Sequence, residues 1–173
     1  MDLRYPIGPF EPVFSLTPEE RKQHRATIAD CPAQLRLAVK DLSDEQLDTP
    51  YRPDGWTVRQ VVHHVPDSHL NAYIRMKWGA TEDKPAIKTY DQDLWADLPD
   101  GRSGSVDVSL DLLAALHKRW DRLIGSLSDA DWARTVSHPE WGEITMDYLL
   151  AQYAWHSRHH VAHITSLRGR EGF

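Results

Sequence analysis

The sequence predicts an all-α fold, a four-helix bundle with short extra helices and one long loop. Capping signals open several segments whose apolar residues recur at helical spacing. No segment shows the period-two alternation of a half-buried strand, and one connection is much longer than the others. Amphipathic helices of this length bury their stripes against one another, and bundles of this kind build ligand sites from side chains on facing helices.

Thr17-Pro18-Glu19-Glu20 joins a capping hydroxyl, a proline at the first helical position and a glutamate three residues after the cap. It opens a helix expected to run to about Asp41. Pro32 removes a backbone donor, so a kink or split is expected near Cys31. Ser43-Asp44-Glu45-Gln46 repeats the cap signature for a short helix, and Thr49 to Gly55 reads as a loop. Thr57-Val58-Arg59-Gln60 starts a second long helix to about Gly79, with Val58, Val61, Val62, Val65, Ala72, Tyr73 and Met76 at helical spacing. Thr81 to Ser105, with Pro85, Pro99, Gly101 and Gly104, reads as irregular. The third long helix, from about Asp107 to Leu127, places Val108, Leu112, Leu113, Leu116, Trp120, Leu123, Ile124 and Leu127 on one broad stripe. The fourth begins at Thr145 and reaches about Arg168. Leu42-Ser43-Asp44 and Leu127-Ser128-Asp129 echo one another, each ahead of a glycine-containing loop and a Thr-capped helix rich in histidine. The echo suggests two helix pairs related by a pseudo-twofold.

At 173 residues the chain fits a single domain spanning residues 1–173. A single cysteine, Cys31, allows no internal disulfide and suits a reducing, cytoplasmic setting. No uncharged apolar run reaches the length of a bilayer span, so no membrane association is expected. A formal charge of −6 with no basic run argues against nucleic acid as a partner. Ten histidines and seven tryptophans shift attention to sites where imidazoles act as ligands and indoles as pocket walls.

The densest cluster is Trp155-His156-Ser157-Arg158-His159-His160-Val161-Ala162-His163. Residues four apart lie one above the other on a helix, so His156 with His160, or His159 with His163, can offer two nitrogens to one ion. At about 100° per residue, His160 lies roughly 35° from the apolar axis of its helix, His156 about 75°, His163 about 95° and His159 about 135°. The His156/His160 pair therefore faces inward better. A third ligand must come from His63-His64-Val65-Pro66-Asp67-Ser68-His69. Periodicity there favours His69, near the centre of its stripe, over His64, roughly 120° away, although Pro66 can rotate the two halves of the helix.

The succession Tyr5-Pro6-Ile7-Gly8, Leu47-Asp48-Thr49-Pro50-Tyr51-Arg52, Gly55-Trp56-Thr57-Val58-Arg59-Gln60-Val61-Val62-His63-His64, Asp67-Ser68-His69 and His156-Ser157-Arg158-His159-His160 resembles the YfiT-like branch of the DinB superfamily along nearly the whole chain. The resemblance implies a four-helix bundle, a homodimer, and one divalent ion per subunit, zinc or nickel. The implied ligands are His64, His156 and His160. Pro66 departs from the family pattern, which holds a good helix former there. His69, His159 and His163 are then expected to support the ligands or line the pocket. His24, His117 and His138 are read as ordinary hydrogen-bonded histidines. The tryptophans are mostly core, except Trp155, which lies off its stripe and suits a dimer surface.

Three histidines leave an open position, where an ion can activate water or a thiol. The resemblance brings in both metal-dependent hydrolases and S-transferases that use bacillithiol-type low-molecular-weight thiols. A hydrolase of the His-Glu-x-x-His kind carries a glutamate where this chain has Ser157-Arg158-His159, which favours thiol transfer to a small electrophilic substrate. A metal-binding module without turnover is the third reading. Arg59, Arg75 and Arg158 are candidate anchors for the carboxylates of such a thiol.

Overall fold

The computed structural model describes residues 2–173. The elements are α1 (Pro18–Ala38), α2 (Asp44–Leu47), α3 (Val58–Thr81), α4 (Gln92–Ala96), α5 (Pro99–Ser103), α6 (Val106–Ile124), α7 (Asp129–Trp132), β1 (Thr135–His138), β2 (Gly142–Thr145) and α8 (Met146–Glu171). The four long helices form the bundle: α1 packs on α8 and α6, and α3 packs on the same two. Thr17, Ser43, Thr57 and Ser128 each close a capping box, and Thr145 accepts from the Tyr148 amide. The Leu-Ser-Asp echo is therefore real at the level of local structure, since both copies cap a one-turn helix.

Thr57 sets the start of α3: its hydroxyl accepts from the Gln60 amide at 3.1 Å while the Gln60 side chain accepts from the Thr57 amide at 3.0 Å. Thr57→Ala leaves the Gln60 amide without its acceptor. A loss of about 1 kcal/mol is expected, read as a lower urea midpoint at unchanged slope.

Three expectations change. Pro32 lies inside α1 without splitting it, and the helix ends at Ala38 rather than Asp41. The loop after α3 is not wholly irregular, because α4 and α5 fold back onto α3, with Gln60 Nε2 donating to the Ala96 carbonyl at 3.0 Å. A short antiparallel hairpin pairs Thr135 with Thr145 and Val136 with Ile144. Its strands are four residues long, too short for alternation to stand out.

The stripe of α6 also differs. Val108 and Leu112 are exposed, and the buried face runs Leu110, Leu113, Leu116, His117, Trp120 and Ile124. Positions 110, 113, 117, 120 and 124 are spaced by alternating threes and fours, so His117 occupies a core position.

Two apolar clusters fill the interior. One gathers Ile28, Ala72, Met76, Trp120, Ile124, Met146, Leu150 and Tyr153; the other gathers Cys31, Leu35, Val58, Val62, Val65, Leu113, Ile164 and Leu167. On α3, α6 and α8 the buried residues between these groups include His69, His117 and the pair His156/His160. A layer of imidazoles thus crosses the bundle between two apolar blocks. The segment before α1 runs along α8: Trp155 Nε1 donates to the Gly8 carbonyl at 3.1 Å, Thr145 Oγ1 to the Phe14 carbonyl at 2.8 Å, and the Leu16 amide to Asp147 at 3.0 Å. Gly8 sits at φ +83°, a backbone region that favours glycine.

Candidate metal centre

His64 on α3 and His156 and His160 on α8 bring three ring nitrogens within 4.8 Å of one another. His64 Nε2 and His156 Nε2 are 3.3 Å apart. Two nitrogens on one tetrahedral zinc, each at about 2.05 Å, stand about 3.3 Å from each other. The spacing therefore suits a shared ion. Burial pushes the His64 imidazole down to about 3, and burial together with the neighbouring imidazoles holds His156 and His160 well below the ordinary histidine range. All three are neutral at pH 7, the form that ligates.

Around these nitrogens the partners are imidazoles, a hydroxyl and backbone. Ser68 Oγ lies 3.3 Å from His156 Nε2, His69 Nε2 lies 3.0 Å from His156 Nδ1, and His163 Nδ1 lies 3.4 Å from His160 Nδ1. Among the described residues no carboxylate hydrogen-bonds to any of the three.

His156 and His160 line a cavity of about 820 Å³, with His64 behind them. Trp56 forms one wall, 4.7 Å from the His64 ring and tethered by its Nε1 to Asp93 of α4 at 3.0 Å. Trp155 forms another, stacked on His159 at 4.2 Å. Tyr51 stacks on His163 at 4.0 Å, and Arg4, Tyr5 and Arg52 stand at the mouth with Asp54, Asp93 and Asp97.

The structure brings together His64, His156 and His160. His69 is fully buried behind His156, bonded to it and to His117. His159 and His163 line the cavity; His163 Nε2 donates to the Arg4 carbonyl at 3.1 Å, and His159 Nδ1 is buried without a partner. Burial also depresses His159, to about 3. Trp155 is taken up within its own chain, by Gly8 and His159.

None of the three arginines chosen from the sequence lines this cavity. Arg59 is buried and binds Asp48 at 2.7 Å and Asp44 at 2.8 Å, fixing α2 to α3. Arg75 is buried and donates to Tyr153 Oη and the Lys88 carbonyl. Arg158 is exposed beside a different groove, with Cys31 and Ser157. Cys31 itself is 2% exposed, and burial pushes its thiol up to about 12. His117, Tyr51 and Trp56 are the side chains of the site that motif reading passed over or left in the core; for His117 the three-four spacing on α6 was the available signal.

Comparison with known proteins agrees with this architecture. A protein of Bacillus mycoides (strain KBAB4), provisionally named a metal-dependent hydrolase, is 55% identical over 169 residues, covering 98% of this chain and 97% of the relative. A Bacillus thuringiensis subsp. konkukian protein of the same provisional name is 54% identical over the same span and coverage. The solved structure of YfiT from Bacillus subtilis, described as a provisional metal-dependent hydrolase with an unusual four-helix bundle topology, superposes with a TM-score of 0.97 at 45% identity, over all of this chain and 99% of that one. A second four-helix bundle protein, TT2238, matches in fold alone, with a TM-score of 0.56 at 17% identity over 88% of this chain and 99% of the other. The profile of the DinB superfamily matches residues 27–164, four-fifths of the sequence. With bundle, histidine cluster and whole-length relatives in agreement, the chain belongs to the DinB superfamily.

Proposed function

We propose that the protein is a metal-dependent enzyme whose ion is held by His64, His156 and His160, and that it transfers the sulfur of a low-molecular-weight thiol to a small electrophilic substrate. The observation that carries the transfer reading is the composition of the site. Its ligands are all neutral imidazoles, and among the described residues the carboxylates that line the cavity, Asp54, Asp93 and Asp97, hydrogen-bond to none of the three rings. When bound, a divalent ion such as zinc or nickel supplies a Lewis acid that lowers the pKa of a coordinated thiol or water. A water that attacks a carbonyl generally wants a base beside it, whereas a thiol that has given its proton to solvent needs none.

The chain's own contribution is orientation and exclusion of water. His64, His156 and His160 hold one face, and the indoles of Trp56 and Trp155 wall the approach with apolar surface. The sulfur forms its bond to the electrophilic carbon as the leaving group departs with the bonding pair. Arg52 and Arg4, at the mouth, are placed to meet a carboxylate of the thiol, in place of the three arginines chosen from sequence.

The names of the relatives favour a second reading, hydrolysis by activated water. The two separate cleanly. Zinc-loaded protein is incubated with an aryl halide and cysteine, or with a p-nitrophenyl ester and no thiol. Conjugation that requires both thiol and metal and stops with a strong chelator is the expected result. Ester cleavage without thiol, and no conjugation with it, assigns the site to hydrolysis.

A further inference from the structure

Ile28, at the middle of α1, has lost its usual helical partner. The residue four positions on is Pro32, which has no N–H to donate. The vacant carbonyl is taken by His117 of α6, whose Nδ1 lies 2.6 Å from the Ile28 oxygen. From this point the bonds form a chain through the layer of imidazoles. His117 Nε2 lies 2.8 Å from His69 Nδ1, and His69 Nε2 lies 3.0 Å from His156 Nδ1.

A carbonyl oxygen only accepts, and a neutral imidazole has one donor and one acceptor nitrogen. Neutral His117 must therefore carry its hydrogen on Nδ1, which makes its Nε2 an acceptor. His69 must then donate from Nδ1 and accept at Nε2, and His156 must donate from Nδ1. The free lone pair of His156 is left on Nε2, the nitrogen 3.3 Å from His64 Nε2. The direction of every bond follows from the carbonyl at the far end. A shorter series reaches His160 the same way: His163 Nε2 lies 3.1 Å from the Arg4 carbonyl and its Nδ1 lies 3.4 Å from His160 Nδ1, which leaves His160 Nε2 free.

We propose that His117 and His69 are positioning residues that hold His156 as the Nδ1–H tautomer with its Nε2 lone pair aimed at the metal, the polarity being set by the Ile28 carbonyl that Pro32 leaves without a helical donor. Metal-bound histidines ordinarily give their second N–H to a carboxylate, a carbonyl or water. Here two further imidazoles carry that role from one helix to the next, across about the width of the bundle core. Neither His69 nor His117 touches the ion in this arrangement. The inference rests on the ligand assignment proposed above.

The test uses the full-length protein, ¹⁵N-labelled on histidine, with and without zinc. The zinc-loaded spectrum should show His117, His69 and His156 all protonated at Nδ1, with the His156 Nε2 resonance moved by the ion. His117→Leu, which breaks the series, should weaken zinc binding ten- to a hundredfold. His117→Gln offers an NH₂ to the Ile28 carbonyl and an oxygen to His69 and should restore most of the affinity. An Nε2–H tautomer at His156 or His69, or unchanged zinc affinity in a folded His117→Leu protein, overturns the proposal. So does uptake of two zinc ions per chain with one lost in that variant, because His69 and His117, with Cys31 near them, would then be ligands themselves. If native protein takes up no zinc, the metal reading fails, and the tautomers of the metal-free protein still decide whether the series exists.

Discussion

His160→Ala is expected to lose its divalent metal almost entirely while keeping its helical circular dichroism. Among the described residues three side chains converge on the proposed ion position, so removing one would leave two neutral nitrogens and a doubly open coordination sphere. The expected fall in affinity is at least about a hundredfold, beyond the ten- to hundredfold that follows from losing an outer partner of a ligand. His64→Ala and His156→Ala should behave alike. His69→Ala should weaken binding without abolishing it, since its contact is with His156 Nδ1 rather than with the ion. The fold persists because the apolar clusters on either side of the imidazole layer are intact in each variant. Elemental analysis after gel filtration reads the outcome; one metal per chain retained in His160→Ala removes that residue from the ligand set.

The second large effect is a loss of stability of the metal-free protein in mild acid. Burial holds His64 at about 3 and His117 at about 4, whereas both ionise near 6.5 once the chain unfolds. Below pH 6.5 the unfolded state binds protons that the folded state refuses. Stability is therefore full above that value and falls as the pH drops. Between pH 7 and 5 these two groups together cost about 4 kcal/mol. Asp67 acts in the opposite sense: burial and nearby Asp100 push it up to about 6, so its protonation in the folded state offsets a small part of the loss over the same range. The buried imidazoles of His69, His156 and His160 add to the loss. Urea midpoints of chelated protein at the two pH values measure the net effect, and equal midpoints would contradict the burial of neutral imidazoles. Zinc should oppose the loss, because it binds only the neutral rings of the folded state.

Local signals carried most of the fold. The hydroxyl caps at Thr17, Ser43, Thr57, Ser128 and Thr145 each begin the helix they announce, because a cap is a contact between near neighbours in sequence. What escaped depends on distant partners. The β1–β2 hairpin is held by register with its own turn and by packing of Val136 and Ile144 into the core, neither of which leaves a long pattern. The disagreement over α3 is instructive. Periodicity chose His69, and His69 is indeed the more deeply buried, at 0% exposure against 5% for His64. The apolar axis finds the centre of the bundle, but the His156/His160 pair lies on the flank where α3 meets α8, so the residue off the axis meets it. Pro66 does not break α3, which continues to Thr81. Two of the arginines lie away from the cavity for a related reason: Arg59 and Arg75 are drawn inward by carboxylates and a carbonyl distant in sequence.

The burial of Cys31 takes the protein's one thiol out of reach of electrophiles. With its lone thiol 2% exposed and shifted up to about 12, almost none of it is thiolate at neutral pH, the only form that alkylates readily. Under the proposed transfer reaction, an exposed thiol would compete with the added thiol for the electrophile. Any thioether formed in its presence must then carry the sulfur of the added thiol, and the mass of the intact chain should remain unchanged after prolonged reaction.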